Sequence, residues 1–163
     1  MANDIDSTFL NLINANLGIA HKIARVYFDD PVSREDVVQE MMYQLWRSFK
    51  SFDNRSKFST WMYRVCLNTA LTNFAKAKRA QPEPLTTYHQ NIPDVESTSD
   101  DMNTLLEAIS TLSKLNRALV LLYLEGMSYD EIASVTGLSQ GNVSVRLFRI
   151  RKELEAFVKR QNQ

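Results

Sequence analysis

The stretch SYDEIASVTGLSQGNVSVRLFRIRKEL, residues 128–154, decides the fold. Its first residues, Ser128 to Glu131, have the Ser-x-x-Glu spacing of a capping box that opens a helix, and Gly137 suits the left-handed position that ends one. Ser139 can then cap a longer helix that runs to about Arg160. A short helix, a tight turn and a long capped helix form the layout of a helix-turn-helix motif, which presents its second helix to the DNA major groove.

The apolar residues of this stretch recur at helical spacing, so that they can bury the junction between the two helices. They are Ile132, Ala133, Val135, Val143, Leu147, Ile150 and Leu154. On the opposite face we expect Asn142 to be the principal base reader, because an amide can bond an adenine edge bidentately, while the basic residues that follow meet phosphates. The candidate DNA-contacting residues are Gln140, Asn142, Ser144, Val145, Arg146, Phe148, Arg149 and Lys152. A helical hairpin with a solvated basic face is the alternative.

The chain as a whole also has the composition of an all-α protein. Among its 163 residues there are 4 Gly and 4 Pro, too few for a fold rich in hairpin turns. Caps and apolar spacing predict further helices at about residues 5–28, 34–49 with Ser33 as N-cap, 59–77, 100–112 and 113–126.

Charge divides the chain into three parts. Residues 1–80 carry 11 Lys and Arg against 8 Asp and Glu, residues 81–105 carry none against 5, and residues 106–163 carry 8 against 6. The middle part also holds three prolines in QPEPLTTYHQNIPDVESTSDD and no helical periodicity, which is typical of a linker. We therefore predict two small helical domains, 1–80 and 106–163, joined by a flexible acidic linker, 81–105.

The third predicted helix has two contrasting faces. One is a core stripe of Tyr63, Cys66, Leu67, Ala70, Phe74 and Ala77, and the other carries Trp61, Arg64, Val65, Asn68, Thr72, Lys76 and Arg79. An exposed aromatic ring beside cations suits single-stranded nucleic acid, because bases stack on the ring while the cations hold phosphates. The alternative is that Trp61 packs against the first helix and the remainder is an ordinary polar surface.

The second predicted helix has a mixed-charge outer face. Its core stripe is Val38, Met41, Met42, Leu45 and Phe49, and the residues that face away are Asp36, Gln39, Glu40, Tyr43 and Arg47. Such a face is either solvated or docks a partner helix.

Several classes of protein are excluded by composition. The single Cys66 cannot form an internal disulfide, and with His21 and His89 as the sole histidines a zinc site is not expected. Two dispersed histidines and the absence of a glycine-rich phosphate loop also provide no site for a small hydrolase. We expect no enzymatic activity, no metal, no cofactor and no small-molecule substrate. No apolar run reaches the roughly 20 residues that span a bilayer, so a cytoplasmic location is expected.

Two segments together resemble conserved regions 2 and 4 of a bacterial sigma factor of the extracytoplasmic-function (ECF) group in the sigma-70 family. They are SREDVVQEMMYQLWRSFKSFDNRSKFSTWMYRVCLNTALTNFAKAKR and LSKLNRALVLLYLEGMSYDEIASVTGLSQGNVSVRLFRIRKEL. The resemblance implies a transcription initiation factor that recruits core RNA polymerase to promoters. It also leaves open whether an anti-sigma factor binds the chain.

Family resemblance assigns the faces described above to partners. The second helix would dock on the polymerase clamp helices through Asp36, Gln39, Glu40, Tyr43 and Arg47. The third helix and the loop Phe52 to Lys57 would lie at the minus-10 element, where the duplex opens. The resemblance places Lys57, Phe58, Trp61, Arg64, Asn68, Thr72, Lys76 and Arg79 there, and the recognition helix at the minus-35 element.

The chain departs from the family pattern at Ser139 and Ser144, so its minus-35 sequence cannot be inherited from relatives. The acidic linker either imitates nucleic acid inside the polymerase or is a passive tether. A stand-alone helix-turn-helix regulator is the rival function, but it leaves the face from Trp61 to Arg79 unexplained.

Overall fold

The protein is described by a computed structural model that places residues 2–80 and 99–163. Within those ranges it contains helices and no strand, in agreement with the predicted all-α class. Almost all of the predicted acidic linker lies outside the described residues. The part that is described, residues 99–105, belongs to the cap and first turns of a helix.

The helices form an N-terminal lobe, residues 2–80, and a C-terminal lobe, residues 99–163. The N-terminal lobe contains α1 (Ala2–Tyr27), α2 (Pro31–Ser48), a 3-10 turn (Phe49–Ser51) and α3 (Phe58–Ala80). The C-terminal lobe contains α4 (Asp100–Ser110), α5 (Lys114–Leu124), α6 (Tyr129–Thr136) and α7 (Gln140–Gln161). Each predicted helix is present, with ends that differ from the prediction by a few residues.

The start of α2 corrects one predicted cap. The N-cap is Asp30 and not Ser33, because the Asp30 side chain accepts a hydrogen bond from the Ser33 backbone N–H at 2.8 Å. Pro31 occupies the first helical position, where its missing N–H and fixed φ cost nothing. Ser33 therefore lies inside the first turn of the helix.

The core of the N-terminal lobe lies where α1, α2 and α3 meet. On α2 the buried residues are Val37, Met41 and Leu45, so Val37 is more buried than the predicted Val38. On α3 Tyr63, Cys66, Leu67 and Ala70 are buried as predicted, Met62 joins them, Phe74 is half-buried and Ala77 is exposed.

The C-terminal lobe is centred on α5, α6 and α7. The predicted junction of the helix-turn-helix is confirmed, since Ile132, Val135, Val143, Leu147 and Ile150 are buried and Ala133 and Leu154 pack at its edge. The buried residues of the two lobes form one continuous apolar cluster, so the lobes pack against each other. No helix in the described ranges is both long and apolar enough to cross a membrane.

Candidate nucleic-acid and protein interfaces

Reciprocal caps fix the helix-turn-helix. The Ser128 backbone N–H donates to Glu131 Oε2 at 3.0 Å, and the Glu131 N–H donates to Ser128 Oγ at 3.1 Å, which completes the predicted capping box. Gly137 ends α6 with φ 77°, in the left-handed region. Ser139 Oγ then accepts from the Asn142 N–H at 3.2 Å and starts α7. These contacts orient the first turn of α7 relative to α6.

The outer face of α7 is open to solvent. Asn142, Ser144 and Arg149 are exposed, and so are two apolar side chains, Val145 at 48% and Phe148 at 62%. Lys152 Nζ lies 5.1 Å from the centroid of the Phe148 ring, a cation–π contact that keeps the ring and the charge together. This face can offer an amide, apolar groups and cations to a DNA groove.

Two predicted members of this face are engaged within the lobe. Gln140 Nε2 donates to Asp130 Oδ1 at 3.0 Å, which ties the start of α7 to α6. Arg146 is half-buried, and its guanidinium lies 3.5 Å from Asn116 Oδ1 on α5. This contact cannot be predicted from the spacing within α7, because Asn116 lies 30 residues earlier in the chain.

The outer face of α3 carries the predicted polar and basic groups. Asn68, Thr72, Lys76 and Arg79 are exposed. The Thr72 hydroxyl donates to the Asn68 backbone carbonyl at 2.8 Å, so it is bonded within its own helix while the Asn68 amide faces solvent. This part of α3 presents hydrogen-bonding groups followed by cations.

Trp61 differs from the sequence-based expectation of an exposed ring. It is half-buried in a cluster with Phe49, Phe52 and Phe58, with ring centroids 6.3, 5.2 and 5.5 Å away. The sequence offered two alternatives, an exposed ring or a ring packed against the first helix, and neither describes Trp61 fully. The ring packs against the 3-10 turn and the loop after α2, while part of it stays accessible. Phe58 is half-buried in the same cluster.

Two other cations of this surface reach the C-terminal lobe. The Arg64 guanidinium donates to the Ser134 carbonyl oxygen at 2.7 Å and to Ser134 Oγ at 3.0 Å. Lys57 Nζ lies 3.9 Å from Glu131 Oε1. Helical periodicity carries no information about these contacts, because each joins residues at least 70 positions apart.

The buried side of α3 contains two titratable groups, the Cys66 thiol and the Tyr63 hydroxyl. Burial raises the pKa of the Cys66 thiol to about 12, which agrees with a packing residue rather than a nucleophile. Burial also raises the pKa of Tyr63, and the nearby Glu125 carboxylate raises it further. Burial alone would raise the pKa of Glu125, but Lys22 and the neighbouring Tyr63 hydroxyl hold it below its usual value.

The outer face of α2 is exposed at Asp36, Gln39, Tyr43 and Arg47, as predicted. Glu40 is half-buried and accepts a hydrogen bond from Gln44 Nε2 at 3.0 Å.

The structure adds two apolar residues to this side of α2, Val32 at 69% exposure and Trp46 at 48%. Val32 could have been found from the sequence, because it lies four residues before Asp36 and therefore on the same helical face.

Comparison with known proteins agrees with this arrangement. The family described as "Sigma-70 region 2" matches residues 12–80, and "Sigma-70, region 4" matches residues 102–154. The chain is 33% identical over 136 residues to the ECF RNA polymerase sigma-E factor of Haemophilus influenzae, covering 74% of this chain and 71% of the relative. It is 31% identical over 135 residues to the ECF sigma factor SigW of Bacillus subtilis, covering 74% and 72%.

Two solved structures share the fold. The sigma factor RpoE of Bartonella quintana, in a co-crystal with the anti-sigma factor NepR, has a TM-score of 0.72 and 22% identity and covers 96% of this chain and 97% of its own. CnrH, in complex with the cytosolic domain of CnrY, has a TM-score of 0.67 and 23% identity and covers 94% and 89%.

Regions 2 and 4 in this order are those of a bacterial sigma-70 factor, a transcription initiation factor that works with core RNA polymerase at promoter DNA. The chain belongs to the ECF group of the sigma-70 family. The rival interpretation, a stand-alone helix-turn-helix regulator, has no support in the comparisons, because region 2 accounts for the N-terminal lobe.

Proposed function

We propose that three helices divide the work of this sigma factor: α2 docks core RNA polymerase, α3 holds the opened minus-10 DNA and α7 reads the minus-35 element. The observation that supports this division is the amphipathic character of each helix. All three bury one face in the core and leave the opposite face exposed, with groups suited to a different partner on each.

The face of α3 suits a single strand of DNA. Its exposed Asn68 amide can bond a base edge, and the basic residues Lys76 and Arg79 can hold the phosphates. The accessible part of Trp61 supplies a ring on which an unpaired base can stack, and such stacking contributes about 1–3 kcal/mol. That is comparable to the few kcal/mol needed to unstack a base from the duplex.

Asn68→Ala tests the melting role without disturbing the core. We expect reduced thymine reactivity in permanganate footprinting of the minus-10 region by the reconstituted holoenzyme. Trp61→Ala should reduce it as well, but this substitution also opens a gap in the aromatic cluster, so its thermal stability must be measured beside it. Glu155→Ala, on the exposed side of α7, serves as the control. Unchanged reactivity in Asn68→Ala would remove this residue from the mechanism.

We also infer three further properties of this sigma factor. The chain carries out no catalytic step itself, it acts in the cytoplasm beside the polymerase, and an anti-sigma factor binds it. The inference about an anti-sigma factor is supported by the RpoE structure, in which a protein of this fold is bound to one. Affinity purification of the tagged chain under non-inducing growth would detect such a partner, and recovery of core polymerase without any inhibitor would contradict it.

A further inference from the structure

One exposed hydrogen bond links the two helices of the helix-turn-helix at the start of α7. Gln140 is the first residue of α7 and Asp130 is the second residue of α6, and the Gln140 amide nitrogen Nε2 lies 3.0 Å from Asp130 Oδ1. The N-terminal residues of a recognition helix are the ones that meet base edges in the major groove. The Asp130 carboxylate therefore holds a side chain at the end of α7 that suits base reading.

The charge of Asp130 decides which way the Gln140 amide is turned. An ionised carboxylate accepts hydrogen bonds and donates none, so the –NH2 group of the amide must face it and the Oε1 atom must face elsewhere. A hydroxyl or a second amide in its place would allow either orientation. Asp130 thus removes the twofold ambiguity of a glutamine side chain before any DNA is bound.

The groups that remain on Gln140 match the major-groove edge of adenine. Its Oε1 accepts a hydrogen bond, and the second N–H on Nε2 donates one. Adenine presents an N6 amino donor beside an N7 acceptor, whereas guanine presents two acceptors, N7 and O6. A glutamine oriented in this way can bond adenine through both groups, but it would set its own oxygen against an acceptor of guanine.

The hydrogen bond itself adds little to the stability of the fold. Both side chains are exposed, so water can replace either partner. The capping box, Gly137 and the Ser139 cap already fix the backbone of α6 and α7 at this turn. The main effect of the bond is on the orientation of Gln140, and a side chain that is ordered before association loses less entropy on binding.

The neighbouring Gly141 leaves room for DNA at the same place. Among the described residues, a Cβ atom at Gly141 would meet nothing within 4 Å beyond its chain neighbours and its own helix backbone, and its φ is not positive. Glycine lowers the stability of a helix, so the fold of the described residues gives no reason for it at the second position of α7. It suits a point where a ligand approaches the backbone closely.

We propose that Asp130 is a positioning residue for promoter recognition, which orients Gln140 so that this glutamine reads an adenine in the minus-35 element. Asp130 itself makes no contact with a base in this arrangement. The proposal rests on the proposed function of α7 and deepens it, because it adds a second base reader beside Asn142 and states which base that reader recognises.

Asp130→Asn tests the orientation with little change in size. The new amide can either accept from Gln140 Nε2 or donate to Gln140 Oε1, so Gln140 can turn over and present its –NH2 group to the DNA. Two N–H groups suit the two acceptors of guanine. The matched control is Asp101→Asn, which makes the same change at an exposed Asp that is likewise the second residue of a helix with a serine N-cap.

Holoenzymes reconstituted with each variant select from a promoter library with a randomised minus-35 element. The position that Gln140 contacts is the one whose base preference is lost in Gln140→Ala. At that position we expect wild type and Asp101→Asn to prefer adenine over guanine by about tenfold, and Asp130→Asn to reduce this ratio to about threefold or less, within the range of a bidentate contact. Both bases compete for the same protein sample, so a smaller folded fraction leaves the ratio unchanged.

The double variant Asp130→Asn with Gln140→Ala shows whether Asp130 acts through Gln140. We expect it to have the same base preferences as Gln140→Ala alone, because the group that Asp130 orients is then missing. A further change of preference in the double variant overturns the positioning role, since Asp130 then acts by another route. An undiminished adenine preference in Asp130→Asn alone, or a wild-type preference for another base at this position, overturns it as well.

The proposed function of α7 is tested apart from this role by Asn142→Ala in the same selection. If Asn142→Ala relaxes the minus-35 preference while Gln140→Ala leaves every position unchanged, α7 reads the promoter and the positioning role of Asp130 falls. If neither variant changes a preference, the assignment of α7 to the minus-35 element has failed, and the role of Asp130 fails with it.

Discussion

The hydroxyl of Tyr27, near the end of α1, donates a 2.7 Å hydrogen bond to the backbone carbonyl of Lys114, at the start of α5. This bond joins the two lobes where the ring of Tyr27 also packs edge-on against Phe74, with centroids 6.0 Å apart. Burial raises the pKa of Tyr27, against the smaller opposing effect of Arg117. The hydroxyl therefore stays neutral and able to donate over the whole ordinary pH range.

Replacing Tyr27 with Phe should lower the free energy of unfolding by about 1 kcal/mol, the usual contribution of one hydrogen bond. Because the pKa of Tyr27 is higher in the folded than in the unfolded chain, its contribution is complete below about pH 10 and falls as pH rises further. Urea unfolding at pH 7 and above pH 10 measures both effects.

The exposed Tyr129→Phe is the control for this experiment. Tyr27→Phe should make the loss of stability above pH 10 less steep than in wild type, and Tyr129→Phe should leave it unchanged. If the free energy of unfolding falls equally steeply above pH 10 in wild type and in Tyr27→Phe, then Tyr27 ionises equally in the folded and the unfolded chain.

The cap of α2 gives a prediction at the opposite end of the pH scale. Hydrogen bonds from Ser33 lower the pKa of the Asp30 carboxyl. Its capping contribution is therefore present at neutral pH and is lost as pH falls below about 4. Asp30→Ala should cost about 1 kcal/mol of unfolding free energy at pH 7.

Asp30→Asn keeps an oxygen acceptor for the Ser33 N–H without the charge. We expect it to be more stable than Asp30→Ala at pH 7 and to lose less stability than wild type on acidification. Thermal unfolding followed by circular dichroism at pH 7 and pH 3 provides the comparison, and a loss in Asp30→Ala that is the same at both pH values would contradict it.

The outer face of α2 should determine affinity for the polymerase and leave folding unaffected. The triple variant Asp36→Asn, Gln39→Met and Arg47→Gln changes exposed side chains of similar size. We expect it to bind core polymerase about tenfold more weakly or worse, since a few interface residues commonly supply most of the binding energy. Val32→Asn alone should weaken binding in the same direction.

The control for this titration changes one acid and one base on the exposed side of α7, Glu155→Gln and Lys159→Gln. It should assemble like wild type. If the triple variant instead assembles with wild-type affinity, the docking surface lies on another part of the N-terminal lobe.

On α7, sequence choice and affinity should depend on different residues. Asn142→Ala should relax the preferred minus-35 sequence, because a bidentate amide–adenine contact discriminates by about 1–3 kcal/mol. Arg149→Ala should weaken binding to all promoters alike and reduce the salt slope by about one unit. Selection from a randomised minus-35 library with each holoenzyme variant separates the two, and a changed sequence preference in Arg149→Ala alone would reverse the assignment.

Local sequence signals predicted most of the fold. The capping box at Ser128, the left-handed Gly137 and the cap at Ser139 are local features, and each is found where the sequence places it. The Asp30 cap was missed although its signal was present, because an Asp-Pro pair at a helix start is as informative as a Ser cap.

Contacts between distant parts of the chain could not be predicted in this way. Helical periodicity placed Trp61 on the outer face of α3 but carried no information about Phe49 and Phe52, which fold back over it. It likewise placed Arg64 outward without showing that α6 lies there. Helical periodicity describes one helix at a time, whereas these contacts depend on how several helices pack together.

The buried Cys66 makes the chain convenient for thiol-specific labelling. Burial raises the pKa of Cys66 to about 12, so the thiol stays protonated at pH 8, and the thiolate is the form that reacts with maleimides. It is also the single cysteine in the sequence. A cysteine introduced on the surface of either lobe should therefore take up a fluorophore selectively in the otherwise wild-type chain, and labelling at Cys66 itself would report that α3 has come away from its core.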